Sequence, residues 1–152
     1  FIIIVLLVIQ LNSFRKASII LLTIPLAMIG VTGGLLGAGS FFSFPAFLGL
    51  ISLAGIIIND AIVFIDKIGM ELEEGKGLVD SIQTAANHRF SPILLTTLTT
   101  SCGMIPLWTG GGELWSPMAI TIIFGLLFAT IILLIFVPVI FKILFHRKAE
   151  LD

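Results

Sequence analysis

Asp60 lies near the middle of an apolar run that extends from about residue 45 to residue 68. An ionised carboxylate at the centre of a membrane-spanning helix costs about 2.5–3.5 kcal/mol on insertion scales. Such a residue must be neutral, paired or in contact with water. A carboxyl held that way can take up a proton from one side of a membrane and release it to the other. The alternative is a structural aspartate, hydrogen-bonded to a neighbouring helix. Asn59 adjoins it, but successive side chains on a helix diverge by about 100°. Asn59 therefore offers a donor and an acceptor to a different neighbour, as interhelical glue or as part of the same polar site.

A second polar constellation follows in the run from about 90 to 108: Thr96, Thr97, Thr99, Thr100 and Ser101. Thr96, Thr100 and Gly103 share one helix face, with Thr97 and Ser101 beside it. Threonines in membranes often bond their own helix carbonyls. A hydroxyl stripe this dense, facing Asp60, would instead hold water and relay protons. Arg89, at the start of the run, either snorkels to the surface or lies below that path. The candidate proton-relay set is therefore Asp60, Asn59, Thr96, Thr100 and Arg89. His88 and His146 have no ligand-spaced partners, so no metal site is expected. No nucleophile–base pair or phosphate-binding loop is present, and enzymatic catalysis has no support.

These groups need elements to hold them, and composition says which. The 152 residues are 58% hydrophobic and 11% charged, with mean hydropathy +1.21. A soluble domain carries roughly twice that charged fraction. Lipid is the solvent that suits this chain, and helices satisfy their backbone groups within it. The net charge of −1 gives no basic field for nucleic acid. The single cysteine, Cys102, excludes an intrachain disulfide framework and reads as a small buried packing residue.

The spacing predicts an all-α, polytopic transmembrane bundle. Four full spans are expected at about 17–38, 45–68, 90–108 and 116–145. Residues 1–11 form only about half a span, read as the tail of a longer one. The chain is therefore expected to be a fragment of a larger protein. Between 76 and 88, apolar residues recur at helical spacing among polar ones. That pattern predicts one amphipathic helix on the membrane surface. Gly30/Gly34 and Gly33/Gly37 are small-xxx-small pairs that let helix backbones approach closely. The tryptophans beside the break at 110–113, Trp108 and Trp115, suit headgroup depth.

Positive charge gives the orientation. All eight Lys and Arg (Arg15, Lys16, Lys67, Lys76, Arg89, Lys142, Arg147 and Lys148) fall in segments that four spans place on one side. The opposite loops, near 39–45 and 109–116, have none. The positive-inside rule makes the charged side, and the C-terminus, cytoplasmic.

Several stretches resemble one family. Gly55 to Asp66, GIIINDAIVFID, resembles the "G-h-h-h-N-[ND]-A-I-h-h-h-[DE]" stretch (h, apolar) of resistance-nodulation-division (RND) efflux transporters in the hydrophobe/amphiphile branch. Arg89 to Thr97, RFSPILLTT, resembles their "R-h-R-P-I-L-h-T-[ST]" stretch. Gly103 to Leu107 and Phe136 to Val139 continue the likeness. The resemblance covers essentially the whole chain. It implies the C-terminal membrane end of a permease, from the end of the eighth span to the twelfth.

The resemblance further implies a proton-driven antiporter of the bacterial inner membrane, driven by the proton gradient with no cofactor. It implies a homotrimer embedded in the lipid bilayer, joined to the rest of the same permease. A periplasmic adaptor and an outer-membrane channel would be its partners. In this family the relay lies between the fourth and tenth spans. Asn59 occupies the position where well-known drug pumps carry a relay lysine, and Asp60 the neighbouring position, commonly Asn. Arg89 and Thr96 match the functional arginine and threonine of the eleventh span. Without the lysine, Asp60 is expected to join a carboxyl cluster that shares protons with acidic residues of the fourth span.

The implied function is proton-coupled export of amphiphilic compounds. Relatives exporting metals or lipids offer a second reading. Met28, Met70, Met104 and Met118 share no evident face, which disfavours metal. A non-transporting membrane module is a third.

Overall fold

The computed structural model describes residues 2–149, with the side chains of Ile3 and residues 146–149 outside that description. Five helices follow in order: α1 Ile2–Leu11, α2 Phe14–Gly37, α3 Phe44–Glu73, α4 Leu78–Gly110 and α5 Gly112–Ala149. No strand occurs among the described residues. Helices α2 to α5 are each long and apolar enough to cross a membrane. The chain is a helix bundle of four such elements preceded by a short fifth. The cationic side chains of Arg147 and Lys148, part of the expected charge asymmetry, fall outside the described residues.

The linkers are short because individual residues make the turns. Asn12 takes the left-handed conformation between α1 and α2, with φ 44°. Asparagine tolerates that region better than most residues with a side chain. Pro45 sits in the first turn of α3, where a missing N–H costs nothing. Gly75, φ 85°, ends α3. The glycine-rich break at 110–113 is tighter than the expected loop. Gly111 alone separates α4 from α5, and Gly112 follows at φ 65°. A Cβ on Gly111 would collide with the Leu107 carbonyl and the Trp115 side chain, so only glycine fits that reversal.

The amphipathic segment is not a helix of its own. Residues 78–88 form the first turns of α4, which continues unbroken into the membrane-crossing part. At 33 residues α4 is about 50 Å long, well beyond a bilayer core of about 30 Å. Its inner face, Ser81, Ile82 and Ala85, is buried against the bundle. Pro92 does not break the helix. Its missing N–H leaves the His88 carbonyl without that helical bond, and one turn on the Thr96 hydroxyl donates to the Pro92 carbonyl at 2.9 Å.

Helix α5 is the centre of the bundle. It is apolar on every side and packs along α2, α3 and α4, while Ile131, Ile135, Val139 and Ile143 form one stripe left exposed. Two apolar clusters stack along it. One joins Ile20, Phe64, Ile68, Ile93, Leu133, Val137 and Phe141. The other joins Val31, Ala46, Leu53, Ile57, Ile120 and Leu126.

Glycines set the α2–α5 distance. A Cβ on Gly30 would strike Phe128, and one on Gly34 would strike Phe124. Gly33 and Gly37, expected to pack as well, have nothing within 4 Å. Two glycines not singled out from sequence make the same kind of approach. Gly49 faces the Met118 carbonyl, and Gly125 faces Leu53 and Val31.

The end of the bundle rich in Lys and Arg is tied by an ion cluster. Glu71 is only 3% exposed, although it sits in the most polar stretch of the chain, residues 67–89. Its carboxylate pairs with Lys67 at 2.7 Å and with Lys76, which also pairs with Glu74 at 3.2 Å. Glu71 first, and then Glu74, holds the Lys76 ammonium above its usual pKa range. The cluster fastens the α3–α4 turn to the end of α3. Glu71→Ala strands two ammonium groups there and loosens the turn. The expected result is faster proteolytic cleavage between residues 73 and 78, while Glu73→Ala, on the exposed side, leaves cleavage unchanged.

Candidate functional site

Asp60 lies 16 residues into α3, about 24 Å along a helix about 45 Å long. It is half-buried and falls at the seam between the two apolar clusters. Ile57 belongs to one cluster and Ala61 to the other. On α5 the same seam runs between Leu126 and Leu133. A crevice opens there, lined by Ile57, Asp60, Leu126, Ala129, Thr130 and Leu133. Its volume of about 10 Å³ is on the order of a single water's room. Asp60 and Thr130 are its polar lining residues. Asp60 forms no ion pair among the described residues.

The hydroxyls near this seam are not the expected ones. Thr97, 1% exposed, faces the bundle from α4 and meets Thr130 of α5 at 2.6 Å, oxygen to oxygen. Thr130 Oγ1 also donates to the Leu126 carbonyl at 2.8 Å. Ser101, one turn beyond Thr97, is buried with no partner for its hydroxyl among the described residues. Thr96, expected on the inner face, is exposed and bonded back to its own helix. Thr100 is half-buried. The inner face is rotated by one residue from the expected register. Hydroxyls at 96, 97, 99, 100 and 101 spread around most of the circumference of α4, so their spacing does not mark which side turns inward.

Asn59 is exposed on α3, and Arg89 is half-buried near the start of the membrane part of α4. Neither touches Asp60 through a hydrogen bond or ion pair among the described residues. Cys102 is exposed rather than buried, on the outer side of α4. Asn59, Thr96 and Cys102 thus lie on surfaces that these five helices leave uncovered. Thr130 is the site residue that sequence reasoning missed. Its signal was faint: a threonine amid the longest apolar run of the chain, at a depth matching Asp60 only once the helices are docked.

The arrangement can hold one carboxyl at mid-depth beside a water-sized crevice, with a buried hydroxyl pair behind it. Known proteins resemble the chain as a whole. The swarming motility protein SwrC of Bacillus subtilis (strain 168) is 33% identical over 135 residues, covering 85% of this chain and 13% of that protein. The crystal structure of a heavy metal efflux pump superposes with a TM-score of 0.82 at 25% identity, covering 93% of this chain and 14% of that one. The chain thus spans about one seventh of the length of these relatives. The sequence profile of the AcrB/AcrD/AcrF family matches residues 1–145. Four membrane-length helices, the N-D-A-I stretch on α3 and this match together make the chain part of a multi-pass membrane protein: it belongs to the AcrB/AcrD/AcrF family of RND permeases.

Proposed function

We propose that this chain is the membrane part of a proton-driven secondary exporter, and that α3 carries half of its proton relay. The observation behind this reading is Asp60, a carboxyl at mid-span beside a water-sized crevice, without an ion-pair partner among the described residues. Its other half is an acidic site on a span outside this chain. The uncovered surfaces bearing Asn59 and Thr96 offer the place where that span packs. Asn59, Thr96, Thr100 and Arg89 would shape the relay from that interface, with no covalent step. The absent lysine at position 59 makes it a carboxyl cluster rather than a carboxylate–ammonium pair.

The motif of the hydrophobe/amphiphile branch supports amphiphilic compounds as substrates. The permease then works as a homotrimer in a bacterial inner membrane, with the C-terminus of α5 in the cytoplasm. Its partners are a periplasmic adaptor and an outer-membrane channel. The likeness to a heavy metal efflux pump favours a second reading, metal export. The methionines weigh against it, being one to a helix: Met28 on α2, Met70 on α3, Met104 on α4 and Met118 on α5.

Proteoliposomes holding the intact permease under a pH gradient decide between these readings. Proton flux on adding an amphiphilic cation, and none on adding Cu(I) or Zn²⁺, is the expected result. Flux with metal alone moves the protein to the metal exporters. No flux with either, from correctly folded protein, leaves a non-transporting module.

A further inference from the structure

We propose that Thr130 of α5, held in place by Thr97 of α4, anchors a single water against the Asp60 carboxyl and so completes the proton site from within this chain. The inference rests on the reading of Asp60 as a proton carrier and adds the residues that hydrate it.

The argument begins with the direction of the hydrogen bonds. A hydroxyl has one proton and two lone pairs. Thr130 spends its proton on the Leu126 carbonyl at 2.8 Å. In the contact at 2.6 Å, Thr97 is then the donor and Thr130 the acceptor. Thr97 has no other hydrogen-bond partner among the described residues, so its proton is free for this role. One Thr130 lone pair remains, and Thr130 lines the crevice that Asp60 also lines. The crevice has room for about one water. A water there donates one hydrogen to Thr130. It keeps a second hydrogen for an ionised carboxylate and a lone pair for the O–H of a neutral acid. The same water therefore serves Asp60 in both charge states without any helix moving.

Two further observations agree. Ser101 lies one turn from Thr97, buried and without a protein partner among the described residues, so a second hydroxyl beside this pair has a hydrogen-bonding site to spare. No other ionisable group among the described residues reaches the crevice. Helix α5 carries Glu113 and Lys142 toward its two ends. Helix α4 carries Asp80, His88 and Arg89 within its first twelve residues and Cys102 on its outer side. Helix α2 carries Arg15 and Lys16 in its first turn. Proton release breaks the Asp60 O–H bond and forms one to the water oxygen. That water passes one of its protons on to solvent at the open side of the crevice and stays in place, and loading is the reverse. Thr130 is a positioning residue in this scheme, since it exchanges no proton with Asp60.

The test uses the intact permease in proteoliposomes. Thr130→Val keeps the shape and removes the hydroxyl; Thr130→Ser restores it. Thr130→Val should lower the maximal substrate-dependent proton flux by at least about tenfold, the size of one lost hydrogen bond to a charged group. KM and melting temperature should stay within the wild-type range, and Thr130→Ser should recover most of the flux. Thr97→Val, which frees the Thr130 rotor, should lose less, and should add nothing on top of Thr130→Val. Wild-type flux in Thr130→Val, or equal loss in Thr130→Ser, overturns the proposal. If Thr130→Val does not assemble, Thr97→Val decides: unchanged flux there overturns it. Asp60→Asn separates the two levels. Full flux in Asp60→Asn sinks the relay itself. A dead Asp60→Asn beside a fully active Thr130→Val sinks only the water site.

Discussion

Asp60→Asn in the intact permease abolishes substrate-dependent proton flux and leaves the fold in place. Asparagine matches aspartate in size, so the crevice against Leu126, Ala129 and Thr130 keeps its shape. What disappears is the change of charge. Moving one elementary charge through 100 mV is worth about 2.3 kcal/mol. In a two-state equilibrium that is a bias of roughly 50-fold, enough to drive a helix rearrangement in one direction. A residue that stays neutral supplies none of it. Proton flux in proteoliposomes should therefore fall by at least about 50-fold. The melting temperature in detergent should hold, because asparagine keeps the size of the side chain and its capacity to hydrogen-bond. Flux at the wild-type level would end the assignment of Asp60 as a proton carrier. A large fall in melting temperature would instead mark it as a structural hydrogen-bonding residue.

Gly34→Leu should open the seam between α2 and α5. A Cβ built on Gly34 lies 2.6 Å from Phe124 Cγ and closer still to its Cβ. The clash is with an atom next to the α5 backbone, so rotating the ring does not relieve it. Overpacking in a filled core typically costs about 1–3 kcal/mol. Here the leucine adds three further carbons at a site that is already closed, and the upper part of that range is expected. Moving α2 away also exposes Gly30 and Phe128, which belong to the same seam. Thermal unfolding of the purified permease is the measurement. Gly33→Leu is the matched control, since Gly33 has open space around it, and its melting temperature should change little. Equal losses at 33 and 34 would show that the α2–α5 seam does not set this distance.

The spans were legible because lipid imposes a length and a composition on anything that crosses it. Four long apolar runs stand out whatever they pack against. Asp60 was legible for the same reason, as an acidic side chain deep in such a run. Orientation about each helix axis was not. Thr96 and Thr97 are neighbours in one apolar helix, and both faces suit lipid equally well. The docking of α4 on α5 turns Thr97 inward and leaves Thr96 outside. The glycines repeat the point. Gly30, Gly33, Gly34 and Gly37 offer two possible seams, and the position of Phe124 and Phe128 selects one. Glu71 shows the limit from the polar side: it sits in the most polar stretch of the chain, yet Lys67 and Lys76 make burial tolerable.

By itself, then, the sequence determined that this is a membrane bundle with a carboxyl inside it, because hydrophobicity and charge are properties of residues and runs. Only the tertiary structure decided what that carboxyl faces. The crevice beside Asp60 is made by α5, some 70 residues further along the chain, and Thr130 gains a role from the contact rather than from its own neighbourhood in sequence. A helix that is apolar all round carries no mark of its inner face. That choice is made by packing, where shape rather than hydrophobicity discriminates.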